Sequence, residues 1–433
     1  MLKRLLENIK FPERNVPLAI VVAGILAFGL QIPSLGLYQD DWHFIHYGSA
    51  AGARGMLDFL TMDGRPTAAW VYALGYPLLG FSPLPWHVLS LTLRLVTVIL
   101  AWRVLQTLWP ERTRTNLIAA FFFLLYPFFT LQPQAVVYAE HWTSYALFAA
   151  SLLLMLRAIE NPKRYLPYTA LAIIATTLHL FTVEYFVGLE LLRPLAAWMM
   201  LSDVVRSGTP QNDSKARYYL ALRRVFQIWL PYVLILLLFL YWRSSVLGGL
   251  GLRNNPMDAL SLQSILSSLQ NLGADMALVL VSSWFKLIDP AALELTRARN
   301  IFFLAITLLG GLIAYSYSRS FNKDTAPSTC NTQYAVRNIS YLFAALLSFL
   351  LGLAPAYAAN FIIHTKLEPW NGRFALAAMP GAAMLLAVAF EWLFTSTQVR
   401  RVMFAVLIGL LIGWHNRVAF DFKNVWEKQV TLY

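Results

Sequence analysis

Asp40 and Asp41 stand side by side in Tyr38-Gln39-Asp40-Asp41-Trp42-His43-Phe44-Ile45-His46-Tyr47, directly after the first long apolar run of a chain in which charge is scarce. An adjacent carboxylate pair suits two chemistries. One is a general base that takes a proton from an acceptor hydroxyl, and the other is a ligand set for a hard divalent cation beside a phosphate. Neighbouring helical residues point about 100° apart, so one carboxylate is expected to face a site while the other caps the helix that follows. His43 and His46, spaced i and i+3, share a helix face and suggest a metal site; interfacial packing beside Trp42 and Tyr47 is the plainer account.

Further ionisable residues recur in the same kind of place. Asp63-Gly64-Arg65-Pro66 joins a carboxylate to an arginine, whose planar fork suits a phosphate or pyrophosphate; a turn with a solvated salt bridge would use the same four residues. Arg373, in Trp370-Asn371-Gly372-Arg373-Phe374, opens a late apolar run and is a second candidate for phosphate, with snorkelling as its alternative. Glu140 and His141 fall in one short connection, His179 and Glu184 in another, and His364, Lys366 and Glu368 in a third. Arg94 and Arg193 lie deeper in apolar runs and are expected to satisfy helix contacts.

The elements that must position these residues are membrane helices. Hydrophobic residues make up 58% of the 433 and charged ones 13%, and apolar runs of spanning length recur from end to end. The fold class expected is therefore all-α, a polytopic transmembrane bundle of about 11 spans forming a single domain over 1–433. The lone cysteine, Cys330, excludes an intramolecular disulfide and argues against a cysteine-based metal site. The net charge of +12 comes from short basic clusters between apolar runs, so it reports membrane orientation and not nucleic-acid binding.

Lys3, Arg4, Lys10 and Arg14 precede the first run, Val16 to Leu35, and place the N-terminus in the cytoplasm. Ala23 to Gln31 offers no convincing cleavage site, so this run is read as a retained span. Residues 36–85 then form the first outer loop, carrying the acidic motif and interfacial or re-entrant helices; Thr67 to Phe81, broken by Gly75, Pro77 and Gly80, is short for a span. Spans follow at Trp86 to Leu108, Leu117 to Leu131, Thr143 to Leu156, Leu166 to Phe181 and Phe186 to Met200. Residues 201–224 form a basic cytoplasmic loop, Val225 to Leu247 crosses, and 248–300 is an outer loop or a set of interfacial helices in which 272–288 is left non-spanning. Four more spans end with Val402 to Trp414. No internal repeat is apparent.

Placed by basic clusters alone, this topology gathers Asp40, Asp41, Asp63, Arg65, Glu140, His141, His179, Glu184, His364, Lys366 and Arg373 on the outer side. Ionisable groups near a bilayer are costly, and a one-sided set of them points to function. A cytoplasmic N-terminus, a first span followed at once by the acidic pair Asp40-Asp41, interfacial helices before the second span, Glu140 in the next outer turn and the late Gly372-Arg373-Phe374-Ala375-Leu376-Ala377-Ala378-Met379-Pro380-Gly381 together resemble the GT-C class of membrane glycosyltransferases.

That resemblance implies transfer of a sugar from a polyprenyl-phosphate donor, with inversion, to a glycan, lipid or protein acceptor on the outer face of a bacterial inner or plasma membrane. It implies Asp40 or Asp41 as base, Glu140 as a second carboxylate positioning the acceptor or a cation, and Arg373 with Arg65 on the donor phosphate. His141, Glu184, His364 and Lys366 are further candidates for substrate contact. The cofactor is none or a divalent cation, with Asp41 and Glu140 as its ligands in the second case. The partners expected are the lipid-linked sugar, membrane lipid and the acceptor, not nucleic acid. A transporter or flippase of a lipid-linked or anionic solute is the competing class, expected to show intramembrane charges and repeats. A lipid-linked polysaccharide polymerase or ligase is nearer in chemistry but does not require the early acidic pair.

Overall fold

The computed structural model describes residues 15–208, 214–247, 262–288, 294, 296–319, 331–359 and 361–432. The basic cluster Lys3, Arg4, Lys10 and Arg14, the centre of the 201–224 loop, the 248–261 part of the 248–300 loop and Cys330 lie outside the described residues. All regular structure among those described is helical. Among the described residues nine helices are long and apolar enough to cross a membrane. Large apolar side chains stay exposed along them, such as Leu234, Leu237 and Leu238 on one and Leu308 and Leu312 on another, which suits a lipid environment and no aqueous one.

In chain order the helices are α1 (Val16–Gly24, continued by a π-turn at Ile25–Gly29), α2 (Asp40–Met62), α3 (Ala69–Leu79), α4 (Pro83–Leu108) and α5 (Thr113–Leu124). Then come α6 (Ala135–Glu160), α7 (Tyr165–Thr182), α8 (Leu192–Gly208), α9 (Ser214–Tyr241), α10 (Leu262–Ala277), α11 (Ala298–Arg319), α12 (Asn331–Ala358), α13 (Met379–Leu393) and α14 (Thr397–Leu432). Nine-residue and eight-residue 3-10 segments, Trp370–Ala378 and Glu184–Leu191, lead into α13 and α8.

Two of the about 11 expected spans are not among these nine. α5 has 12 residues, about 18 Å of helix against a hydrocarbon core of about 30 Å. α8 has 17 residues, at the short end of the range for a spanning helix, and follows directly on the 3-10 segment Glu184–Leu191. The expected run Leu117 to Leu131 stops being helix at Leu124, and every residue of α5 from Thr115 onward is buried. Its end is held by donors from neighbouring helices: Arg94 gives Nε and Nη2 to the Leu124 carbonyl at 3.1 and 2.6 Å, and Nη1 to Gln132 Oε1 at 3.0 Å. His415 Nε2 meets the Leu125 carbonyl at 3.1 Å. Irregular backbone at membrane depth is tolerable only when protein supplies such partners. Arg94 therefore does the structural work expected of it. Arg193 does too, pairing with Glu190 at 2.6 Å.

Contacts divide the bundle into two ends. At one, Trp109 Nε1 donates to Ser340 Oγ at 3.4 Å, Thr115 Oγ1 donates to Glu391 at 2.6 Å and Arg112 lies over Tyr341. This basic end holds the 110–114, 157–164 and 394–401 segments. The opposite end is where α2 and α3, too short or too polar to be spans, fold across the bundle. Gly52, at φ 59° and ψ −143°, breaks α2 so that its second half turns back, a geometry open to glycine. Tyr76 donates to the Phe44 carbonyl at 2.8 Å and Trp70 Nε1 donates to Thr182 Oγ1 at 2.8 Å, so the two helices are pinned to each other and to α7. The outer third of α14 covers the same end, with Trp426 seated on Gly36 and Phe422 edge-on to Tyr38 at 5.0 Å.

Candidate active site

Asp40 and Asp41 open α2, and the chain reaches them through Gln39, whose φ of +50° is unusual for a residue with a side chain. A hydrogen bond from Gln134 Nε2 to the Gln39 carboxamide oxygen holds this conformation. The consequence is that the two carboxylates part company. Asp41 is fully buried: Oδ1 accepts from the backbone N–H of Val136 at 3.0 Å and of Val137 at 2.9 Å, and Oδ2 accepts from Tyr38 N–H at 3.3 Å. It caps α6, almost a hundred residues further along, and not the helix it begins. Burial pushes its carboxyl up to about 7, against the pull of those three donors. Expected as base or metal ligand, Asp41 has both oxygens engaged by backbone donors. Asp40 is half-buried and has no hydrogen bond or ion pair among the described residues.

The cap has a second effect. α6 starts at Ala135, so Glu140 and His141, expected in a connecting turn before Thr143, sit in the second turn of a helix. Glu140 is fully buried, accepting from Arg65 Nη1 at 3.5 Å and Tyr72 Oη at 3.4 Å. His141 packs its ring 5.0 Å from both Tyr138 and Tyr185 and is within electrostatic reach of Arg65, Glu184 and Arg373.

Arg65 is the hub of a carboxylate cluster. It lies 3.0 Å from Glu184, 3.4 Å from Asp63 and 3.5 Å from Glu140, with its guanidinium 5.3 Å from the Tyr185 ring centre. Burial works against its charge, and Glu184 first among the carboxylates outweighs it, holding the group protonated well beyond its ordinary range. Expected on the donor phosphate, Arg65 is here engaged by Glu140 and Glu184. Arg243, at the end of the α9 segment, joins them, donating to the Gly64 carbonyl at 2.7 Å and lying 3.4 Å from Glu184. Sequence reasoning passed over Arg243, because an arginine ending an apolar run reads as snorkelling; the glycine-arginine turn across the bundle was the signal it answers.

Arg373 is different. Its guanidinium lies over Phe374 at 4.9 Å and Trp370 at 5.8 Å, acts electrostatically on the Tyr138 hydroxyl and has no carboxylate within ion-pair distance among the described residues. Its Nε is buried without a partner. The same Tyr138 hydroxyl lies within electrostatic range of Asp40 and Tyr185. The charges of Asp40 and Arg373 thus both act on Tyr138, and Tyr185 lies 6.2 Å from Phe374 next to Arg373.

His364 and Lys366 are not brought into contact with that locus. They belong to a neighbouring segment joined to it by the stack of Phe361 on Phe374 at 4.4 Å, with Lys366 over Phe361 at 5.1 Å. His364 is instead governed by Asp275, a residue sequence reasoning missed. Asp275 is fully buried on α10 and accepts from His364 Nδ1 at 2.6 Å, His364 N–H at 2.7 Å, Ile363 N–H at 3.0 Å and Tyr357 Oη at 2.7 Å. Its only sequence signal was a lone carboxylate in an apolar run. His43 and His46 are exposed, beside Phe59 and Tyr47. Among the described residues no group of three or more His, Cys, Asp or Glu side chains is arranged to hold a metal ion.

An apolar cavity of about 110 Å³ runs between α4, α6, α8, α12 and α13, from Trp109 at the basic end to Tyr145 and Leu189. Tyr145 stacks on Phe186 at 4.3 Å, two residues from Glu184, so the cavity stops just below the carboxylate cluster. No family model, curated protein or solved structure matches the chain.

Proposed function

We propose that the protein is a membrane glycosyltransferase of GT-C type that moves a sugar from a polyprenyl-phosphate donor to a hydroxyl acceptor on the outer face of the membrane. The observation that carries this reading is Arg373, a cation without a carboxylate partner among the described residues, whose charge acts on Tyr138 together with that of the unengaged carboxylate of Asp40. Oriented donors aimed at a leaving phosphate and a carboxylate within reach of the attacking hydroxyl are what such a transfer requires. The acceptor oxygen bonds to the anomeric carbon, its proton passes to Asp40, and the bond from that carbon to the phosphate oxygen breaks. The electron pair leaves with the polyprenyl phosphate, whose charge Arg373 and the Tyr138 hydroxyl stabilise. Arg65, Glu140, Glu184 and Arg243 hold the loop that frames the site.

The test is transfer by purified protein in nanodiscs, supplied with hexosyl and pentosyl polyprenyl phosphates and a membrane-lipid extract as acceptor. Asp40→Asn is expected to lower turnover by about 10²–10⁴, and Arg373→Gln by about 10²–10³. Folded Asp40→Asn protein with undiminished transfer would overturn the assignment. A transporter reading draws on one observation, the fully buried His179, Glu190 and Arg193, joined at 2.8 and 2.6 Å. Solute flux in sealed vesicles without any sugar transfer would favour it.

A further inference from the structure

The cations at the two ends of the bundle are used differently. At the Asp40 end, Arg65 and Arg243 are taken up by carboxylates. At the basic end two arginines are not. Arg103 lies over the Trp102 ring at 4.8 Å and Arg112 over the Tyr341 ring at 4.9 Å, and neither has a carboxylate within ion-pair distance among the described residues. The nearby carboxylates are engaged otherwise: Glu391 accepts from Thr115 Oγ1 at 2.6 Å, and Glu111 has a partner of its own.

Both arginine-bearing rings belong to the basic end of the apolar cavity. Trp102 lines it, and Tyr341 is edge-on at 4.8 Å to Trp109, which lines it too. The cavity is partly open, has a volume of about 110 Å³ and is walled by side chains such as Leu105, Met199 and Met384. An apolar cavity of comparable size, about 150 Å³, stays dry and takes up hydrocarbon. In a bilayer the hydrocarbon at hand is lipid chain. Three polar atoms stand unsatisfied at this end, each buried without a hydrogen-bond partner: the Trp102 indole N–H, the Tyr341 hydroxyl and Arg112 Nε. Leaving such groups unmade is costly unless something enters to meet them. Trp102 lies six residues inside the end of α4, about 9 Å along the helix, the depth at which glycerol esters sit below a lipid phosphate.

We propose that this cavity binds one chain of an anionic phospholipid, with Arg103 and Arg112 on the headgroup phosphate and the Trp102 N–H on a glycerol ester. Unpaired cations at the end of an interhelical pocket select such headgroups. A zwitterionic lipid would bring a cation of its own against both arginines. A polyprenyl phosphate held at Arg373 would have its phosphate at the opposite end of the bundle, so the site is separate from the proposed donor site. The binding of this lipid does not depend on the transferase reading.

Native mass spectrometry of the full chain in detergent tests it, with phosphatidylglycerol, phosphatidylcholine and polyprenyl phosphate titrated separately. Phosphatidylglycerol is expected to bind at one site about tenfold tighter than phosphatidylcholine. Arg103 is exposed and Arg112 half-buried, so both can be changed without opening the core. Arg103→Gln and Arg112→Gln are each expected to weaken phosphatidylglycerol about fivefold. Ala196→Phe, which fills the cavity with a ring, is expected to abolish its binding; should that variant fail to fold, the two arginine variants decide alone. Equal affinity for the two phospholipids, or phosphatidylglycerol binding indifferent to both arginine substitutions, overturns the site. Polyprenyl phosphate binding tighter than phosphatidylglycerol and weakened by the same substitutions overturns it as well, and gives the cavity to the donor instead.

Discussion

Asp41 shows how one carboxylate can be central to a site without touching substrate. Two N–H groups at the head of α6 and one from Tyr38 converge on it, and α6 carries Tyr138, Glu140 and His141. Its removal would leave buried donors unpaired at about 1–3 kcal/mol each. Its titration has a definite sign. The folded carboxyl is raised to about 7 from an ordinary value near 3.9, so the folded state binds the proton more tightly than the unfolded chain. The stability this contributes is fully present below the unfolded value and is lost as pH rises through about 7. Relative to Asp41→Asn, the wild type is therefore expected to lose thermal stability in detergent between pH 4 and 7, by up to about 1.4 kcal/mol per pH unit. Parallel pH profiles for the two proteins would remove the carboxyl as the cause.

At the scale of elements, the segment from Phe361 to Ala378 is what the site depends on, and Asp275 is what holds it. Asp275→Ala would strip Ile363, His364 and Tyr357 of their common acceptor, and hydrogen exchange over 361–374 is expected to quicken while that of α6 does not change. Unchanged exchange in the segment would show that the Phe361 and Phe374 stack suffices. Neither this tie nor the Asp41 cap was legible in the sequence, because each joins residues from separate helices. What was legible followed from the scarcity of charge: Asp40, Glu140, Glu184, Arg65 and Arg373 stood out, and they do converge. Their roles did not follow, since residue type says nothing of whether Arg65 is already engaged and Arg373 free. Hydropathy found the long helices well and misjudged α5, where apolar residues continue through a break that Arg94 and His415 make tolerable.

At the scale of the molecule, the two ends differ in charge in a way that bears on orientation. Arg112, Arg114, Lys163, Arg164, Arg400 and Arg401 lie at one end, and Asp40, Asp63 and Glu184 at the other. Short loops rich in Lys and Arg favour the cytoplasmic side, so the orientation we propose has Asp40 outside. The proposed transfer depends on this, because a lipid-phosphate donor for outer-face transfer must meet Arg373 from that side. With Cys330, the lone cysteine, replaced by serine, single cysteines at two exposed positions report the two ends: Ser49→Cys on α2 and Asn161→Cys between α6 and α7. A membrane-impermeant maleimide added to intact cells is expected to label the first, and the second only after permeabilisation. The reverse pattern would place the carboxylates in the cytoplasm and overturn outer-face transfer, whatever the chemistry of the site.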